Sequence, residues 1–178
     1  MLHLAVVRSA PDPAQLSVSR SQGRVFEQGK RLTDPRDEAA VEAALQARGP
    51  DDQVVVLLVG EEADTDALRK PLAMGADRAI LLAASGDGFV RANLISALAR
   101  KLGAGAVWFA PDAEEGRRLP KISRLAPPDL KPRQANALAI MKAAKKPVER
   151  LEAAALGLPE DDLKPRLVLR SSNLVEEP

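Results

Sequence analysis

Gln53-Val54-Val55-Val56-Leu57-Leu58-Val59-Gly60, QVVVLLVG, is apolar at six consecutive positions between a glutamine and a glycine. A strand with one wet face alternates apolar and polar residues. An unbroken run of this kind therefore predicts a strand over residues 54–59 covered on both faces, as in a parallel sheet. RAILLAA, from Arg78 to Ala84, repeats the pattern, with a strand over 79–82. Residues 2–7 and 106–110 supply two more short apolar runs. Three segments of helical periodicity lie between the four strands, near 35–48, 62–74 and 89–102. The first has Asp34 as N-cap, Pro35 at the first helical position and Asp37 in the first turn, and it stops at Gly49-Pro50. The second ends at Met74-Gly75, where glycine accepts a left-handed backbone. The third aligns Val90, Leu94, Leu98 and Leu102 on one stripe before Gly103. Strands and helices alternating in this way imply right-handed crossovers and an α/β fold with a doubly wound, mostly parallel sheet.

Outside that rhythm, residues 9–34 hold LSVSR and GRVFE, which read as a small hairpin before the first helix. Beyond Pro111, prolines at 120, 127, 128 and 132 predict a mostly extended segment over 111–137. A short helix over 138–145, another near 149–156 and a last strand over 167–170 are expected to follow. The chain thus divides into an α/β body, 1–116, and a C-terminal arm, 117–178. Charge follows the same division. Residues 117–150 carry ten Lys/Arg against two Asp/Glu, although the whole chain has a net charge of only +1. The body is acidic and the arm is basic, so the arm suits an acidic surface.

Composition excludes much chemistry. The 178 residues, 46% hydrophobic and 29% charged, make a globular chain. No apolar run approaches the length of about 18 residues that a membrane helix needs. The opening MLHLAVVRSAPDP lacks a basic leader region, so a cytoplasmic protein without membrane insertion is expected. The absence of Cys removes disulfides, thiolate metal sites and Cys nucleophiles, and there is one His and no Tyr. Self-contained catalysis is not expected. Gly103-Ala104-Gly105 precedes a strand instead of following one, so it reads as a simple turn and not a dinucleotide fingerprint. Ser85-Gly86-Asp87-Gly88 reads as a helix-capping turn, since no Lys accompanies it. His3 reads as a packed or edge imidazole without a carboxylate partner, and Asp51-Asp52 and Glu61-Glu62 as solvated helix-entry charges. Trp108-Phe109 falls inside a strand and reads as core. The basic arm interleaves no aromatic residues, so no nucleic-acid partner is expected.

Four stretches in order resemble the electron transfer flavoprotein beta subunit family. Val6-Val7-Arg8-Ser9-Ala10-Pro11-Asp12-Pro13 is similar to its VxVKxVPDP start. The segment from Asp34-Pro35 through Asp37-Glu38-Ala39-Ala40-Val41-Glu42-Ala43-Ala44 is similar to its NPF-x-E-x-A-[LV]-E-E-A segment. Leu72-Ala73-Met74-Gly75-Ala76-Asp77-Arg78 matches its ALAMGADR stretch. Pro132-Arg133, followed at the family spacing by Ile140-Met141-Lys142-Ala143-Ala144-Lys145-Lys146-Pro147-Val148-Glu149, resembles its PR-(6)-IMKAKKKPIE stretch.

The resemblance implies a three-layer, adenine nucleotide alpha hydrolase-like fold. It also implies a heterodimer with an alpha subunit that carries FAD. Such a complex takes electrons from acyl-CoA or related dehydrogenases and passes them to a membrane quinone oxidoreductase. In the family the beta subunit also holds a structural AMP. By position, the nucleotide side here is Val6, Asp34, Pro35, Arg36, Asp37, Val59 and Gly60. The family's D-x-x-TGQ phosphate segment is missing; PDAEEGRRLPKISRLAPPDL stands there, with Asp112, Glu114 and Glu115 opposing a phosphate. AMP is expected to be weakly held or absent, with Arg36 partly offsetting the acidic loop. The family's recognition loop falls at 134–139, its anchoring Leu at Ala137 with Leu138 one residue later. Ile140, Met141, Lys142, Lys145 and Lys146 extend this partner-binding segment, the lysines staying wet. The other function compatible with these residues is a non-redox nucleotide-binding or protein-interaction module on the same fold.

Overall fold

The computed structural model describes residues 1–119 and 121–165. Its first third comprises β1 (Leu2–Val7), β2 (Ser9–Ala10), β3 (Leu16–Ser19), β4 (Arg24–Glu27), β5 (Leu32–Thr33), α1 (Glu38–Ala47) and β6 (Gln53–Gly60). A 3-10 stretch, Glu62–Leu68, then leads into α2 (Arg69–Met74), β7 (Arg78–Ala83), α3 (Gly88–Leu102) and β8 (Ala104–Phe109). The remaining elements are α4 (Glu114–Arg117), β9 (Ser123–Leu125), α5 (Ala137–Lys145) and β10 (Glu149–Glu152). The main sheet has the order β10-β7-β6-β1-β8-β9, and each of its five ladders is parallel. The four expected strands are thus side-by-side, co-directional neighbours.

Both faces of the sheet are covered, which is why its central strands read as continuous apolar runs. Val54, Val56 and Leu58 of β6 point toward α1 and α2, packing with Ala5, Val7, Val41, Leu45, Leu72 and Met74. Their neighbours Val55, Leu57 and Val59 point the other way, toward Leu94, Ile95 and Leu98 of α3. Asp87 caps α3, its carboxylate accepting from the Val90 N–H at 3.0 Å, and Gly103 ends it at φ +67°. Gly75 closes α2 at φ +122°, a conformation that an L side chain would strain.

Three expectations on the helices need correction. The first helix begins at Glu38, not at Pro35; its N-cap is Asp37, without a side-chain capping bond. Asp34 instead folds a turn, its Oδ1 accepting from the Arg36 N–H at 3.0 Å. Most of the second expected helix is the 3-10 stretch, where Glu61 and Asp64 form a reciprocal capping box. The helix expected near 149–156 is β10 followed by a 3-10 turn, Ala153–Leu156. Its register, Glu149 opposite Ile80, is fastened by a two-pronged ion pair: Arg78 Nε and Nη2 donate to Glu149 Oε1 and Oε2 at 2.7 and 2.9 Å. Asp77 and Arg78 do not pair with one another; Asp77 lies beside Arg48 and accepts from the Val54 N–H.

The hairpin forms as expected, with Val18 opposite Val25. Between its prolines, segment 111–137 is more ordered than its composition suggests, holding α4 and β9. Ala126, just after β9, is buried against Ala39 and Ala43 of α1. Arg133 then grips buried Glu42, donating from its backbone N–H and Nε to Oε2 at 3.0 and 2.8 Å and from Nη2 to Oε1 at 3.0 Å. The expected strand over 167–170 lies outside the described residues.

Candidate functional site

Along the sheet the chain steps outward from β1 to β6 and β7, then returns to β8 on the other side of β1. Crevices at the carboxyl ends of parallel strands near such a reversal are where open α/β sheets bind ligands. A cleft of about 590 Å³ opens at that edge, at the ends of β1, β6 and β7, within the size range of small-molecule sites. Val59 and Gly60 line it. Val6 does not: it is buried in the core on the α3 side of the sheet. Pro35 and Arg36 line a separate hollow of about 270 Å³ with Asp112 and Pro128. Of the seven residues expected on the nucleotide side, two line one depression and two the other, while Val6, Asp34 and Asp37 line neither.

Arg8 joins the two. It lines the cleft, while its backbone N–H and Nε donate to Asp37 Oδ2 at 2.7 and 3.0 Å and its Nη2 to Oδ1 at 2.9 Å. These bonds hold the Arg8 guanidinium charged, well above its ordinary range. Burial pushes the Asp37 carboxyl up, and the bonds from Arg8 oppose that rise. Arg36 donates to both oxygens of Asp34, at 3.2 and 2.9 Å, and lies 3.5 Å from Asp112. That ion pair holds the Asp34 carboxyl below its usual value.

The other cations of the cleft are taken as well. Arg31 donates to Glu27 at 2.6 Å and lies 3.1 Å from Asp64; Arg91 donates to Glu115 at 3.0 Å. Arg8, Arg31 and Arg91 thus face Glu27, Glu61 and Asp64 across the cleft, with Asp37 and Glu115 behind. A phosphate dianion would meet no excess of positive charge there, so these residues do not fit the AMP phosphate that the family implies. Sequence reasoning missed Arg31, Asp64 and Arg91. For Arg8 a signal existed, since it stands at the basic position of the VVRSAPDP stretch.

The partner-binding segment occupies another part of the surface. The expected loop over 134–139 turns helical at Ala137, because Asn136 caps α5 by accepting from the Ala139 N–H at 2.8 Å. Leu138, Ile140 and Met141 are 59%, 56% and 63% exposed. Ala143 is buried and Ala139 packs on the core, so α5 turns these two alanines inward and its large apolar side chains outward. Lys142 and Lys145 are exposed. Lys146 departs from expectation: it is half-buried, with Nζ 3.4 Å from the Ala76 carbonyl.

Among the described residues, no helix is long and apolar enough to cross a membrane. Among those residues, no group of three or more His, Cys, Asp or Glu is placed to hold a metal ion. His3 has partners that the sequence did not suggest. The Trp108 indole N–H donates to its Nδ1 at 3.2 Å, and Asp52 Oδ2 lies 3.1 Å from its Nε2.

A model of the electron transfer flavoprotein domain family matches residues 23–126. The Protein FixA of Azorhizobium caulinodans is 35% identical over 118 residues, covering 62% of this chain and 41% of that protein. The electron transfer flavoprotein subunit beta of Syntrophomonas wolfei is 37% identical over 83 residues, 44% of this chain and 33% of the relative. Its counterpart in Mycobacterium tuberculosis is 43% identical over 81 residues, 40% of this chain and 30% of the relative. The matched region thus spans less than half the length of each of these relatives. The family match extends over more than half of the chain, and the relatives are FixA and beta-subunit proteins, so the chain belongs to the electron transfer flavoprotein beta family.

Proposed function

We propose that this chain is the beta-like half of an electron transfer flavoprotein. It pairs with an alpha-like subunit that carries most of the FAD site. The complex takes electrons from acyl-CoA or related dehydrogenases and delivers them to a quinone oxidoreductase. The flavin, when bound, supplies the redox chemistry; this chain supplies docking surfaces and performs no bond chemistry of its own. The observation that carries this reading is the face of α5. Three large apolar side chains stand in water beside Lys142 and Lys145, a pattern suited to an acidic partner surface with an apolar pocket. Family membership supports the same assignment.

AMP is not part of this proposal, because every guanidinium lining the cleft already has a carboxylate partner. Coexpression with an electron transfer flavoprotein alpha subunit should give a yellow one-to-one complex, and this chain alone should be colourless. Mass spectrometry of the small molecules released from the complex should find FAD without AMP. Failure to associate with any such subunit would sink the reading. A bound adenine nucleotide on the chain alone would favour a nucleotide-binding module instead.

A further inference from the structure

α5 should not be stable by itself. Its nine residues fall short of the roughly 12–15 that an isolated helix needs in water. Its largest apolar side chains also contribute little burial, since they face solvent. What it sets against the body is an alanine edge, Ala139 and Ala143, packed on α2. The backbone at its C-terminal end must then find donors elsewhere. One residue of α2 supplies them. Arg69 Nη1 donates to the Ala143 carbonyl at 3.2 Å and also to the Lys146 carbonyl. The half-buried guanidinium therefore sits at the negative end of the α5 dipole, as a cation there should.

We infer that Arg69 is a positioning residue for partner docking: by bonding the carbonyls of Ala143 and of Lys146, the C-cap residue, it holds α5 formed on α2 with Leu138, Ile140 and Met141 turned outward. Asn136 fastens the other end of the helix. A docking face organised before the encounter spares the partner the cost of ordering it. Loss of that order reduces affinity by the fraction of time the face is competent. The docking role rests on the proposed function; the hold on α5 does not.

The test has two arms. In the full chain, Arg69→Met keeps the aliphatic stem and removes the donors. Hydrogen exchange at the amides of residues 140–146 should accelerate about tenfold or more, while amides of β6 and β7 keep their protection. In the yellow complex, reduction of the flavin by an acyl-CoA dehydrogenase and its substrate should show a KM for the complex raised about tenfold at unchanged kcat. Arg69→Lys, which can still donate to one carbonyl, should recover part of both effects and serves as the second variant if the first unfolds. Unchanged exchange in α5 would overturn the inference, as would faster exchange with an unchanged KM. A wild-type complex that no dehydrogenase reduces would overturn the proposed function, and the exchange arm would then decide alone whether Arg69 secures α5.

Discussion

His3, 1% exposed, is the only histidine of the chain. An indole N–H can only donate, so Nδ1 of His3 must accept from Trp108, and the ring proton sits on Nε2 facing Asp52. Asp52 is held ionised below the usual carboxylate range by the Met1 amino group first, then by the Gly49 N–H and His3. Nitrogen NMR of this single imidazole should therefore show Nδ1 unprotonated in the native chain at neutral pH; a protonated Nδ1 would contradict the arrangement. Trp108→Phe, which leaves that nitrogen without its donor, should lower stability to urea by about 1 kcal/mol. The place of His3 in an apolar strand left a packed and an edge position open, and it takes the packed one. Its carboxylate partner was not, because Asp52 becomes a neighbour only through the parallel pairing of Leu2 with Gln53. A doublet of aspartates next to Gly-Pro carries no local mark of that register.

Among elements, the central strands were legible because burial on both faces leaves an unbroken apolar signature, and the ends of α2 and α3 because glycine marks them. β10 was not, since its sequence, ERLE, is polar on most positions and suits a helix equally well. It is a strand because the edge of β7 offers unpaired backbone groups and Arg78 offers Glu149 a two-pronged partner. In α5 the element itself was foreseen, but not the residue that it buries, because a small alanine, Ala143, is that position while Ile140 and Met141 stand in water. This arrangement places Leu138 at the outer surface of the first helical turn. Leu138→Ala should leave the melting temperature within about 1–2 °C of wild type, as expected for an exposed site. It should also slow electron transfer from the dehydrogenase; an unaltered transfer rate would remove Leu138 as an anchor. Replacing Lys142 and Lys145 together with Ala should lower the association rate and flatten its dependence on salt, read by stopped-flow at several ionic strengths. Lys146 is left out of that pair because it lies against the Ala76 carbonyl.

For the molecule as a whole, the charged residues of the family-like stretches join one stretch to another. Arg8 of the opening stretch holds Asp37 of the second; Glu42 of the second holds Arg133 of the last; Arg78 of the third holds Glu149 of the last. The stretches could be recognised one at a time along the chain, but their pairing exists only in three dimensions. The last two of these clasps tie residues 133 and 149 to α1 and β7, and acid should loosen them before it unfolds the central strands. The Arg133 bonds pull the Glu42 carboxyl down to about 2 from an ordinary 4.5, and Arg78 lowers Glu149 in the same direction. A carboxylate whose folded pKa is depressed stabilises fully above its ordinary value and loses that contribution as pH falls toward the depressed one. Hydrogen exchange corrected for intrinsic rate should therefore accelerate in β10 and around residue 133 between about pH 4.5 and pH 2, while β1 and β6 hold until global unfolding. Arg133→Ala should bring that loosening to neutral pH and cost about 2 kcal/mol, since it leaves buried Glu42 without its guanidinium. Simultaneous loss of protection in β6 and around residue 133 at every pH would mean that the two regions open as one unit, and that these ion pairs are not what joins them.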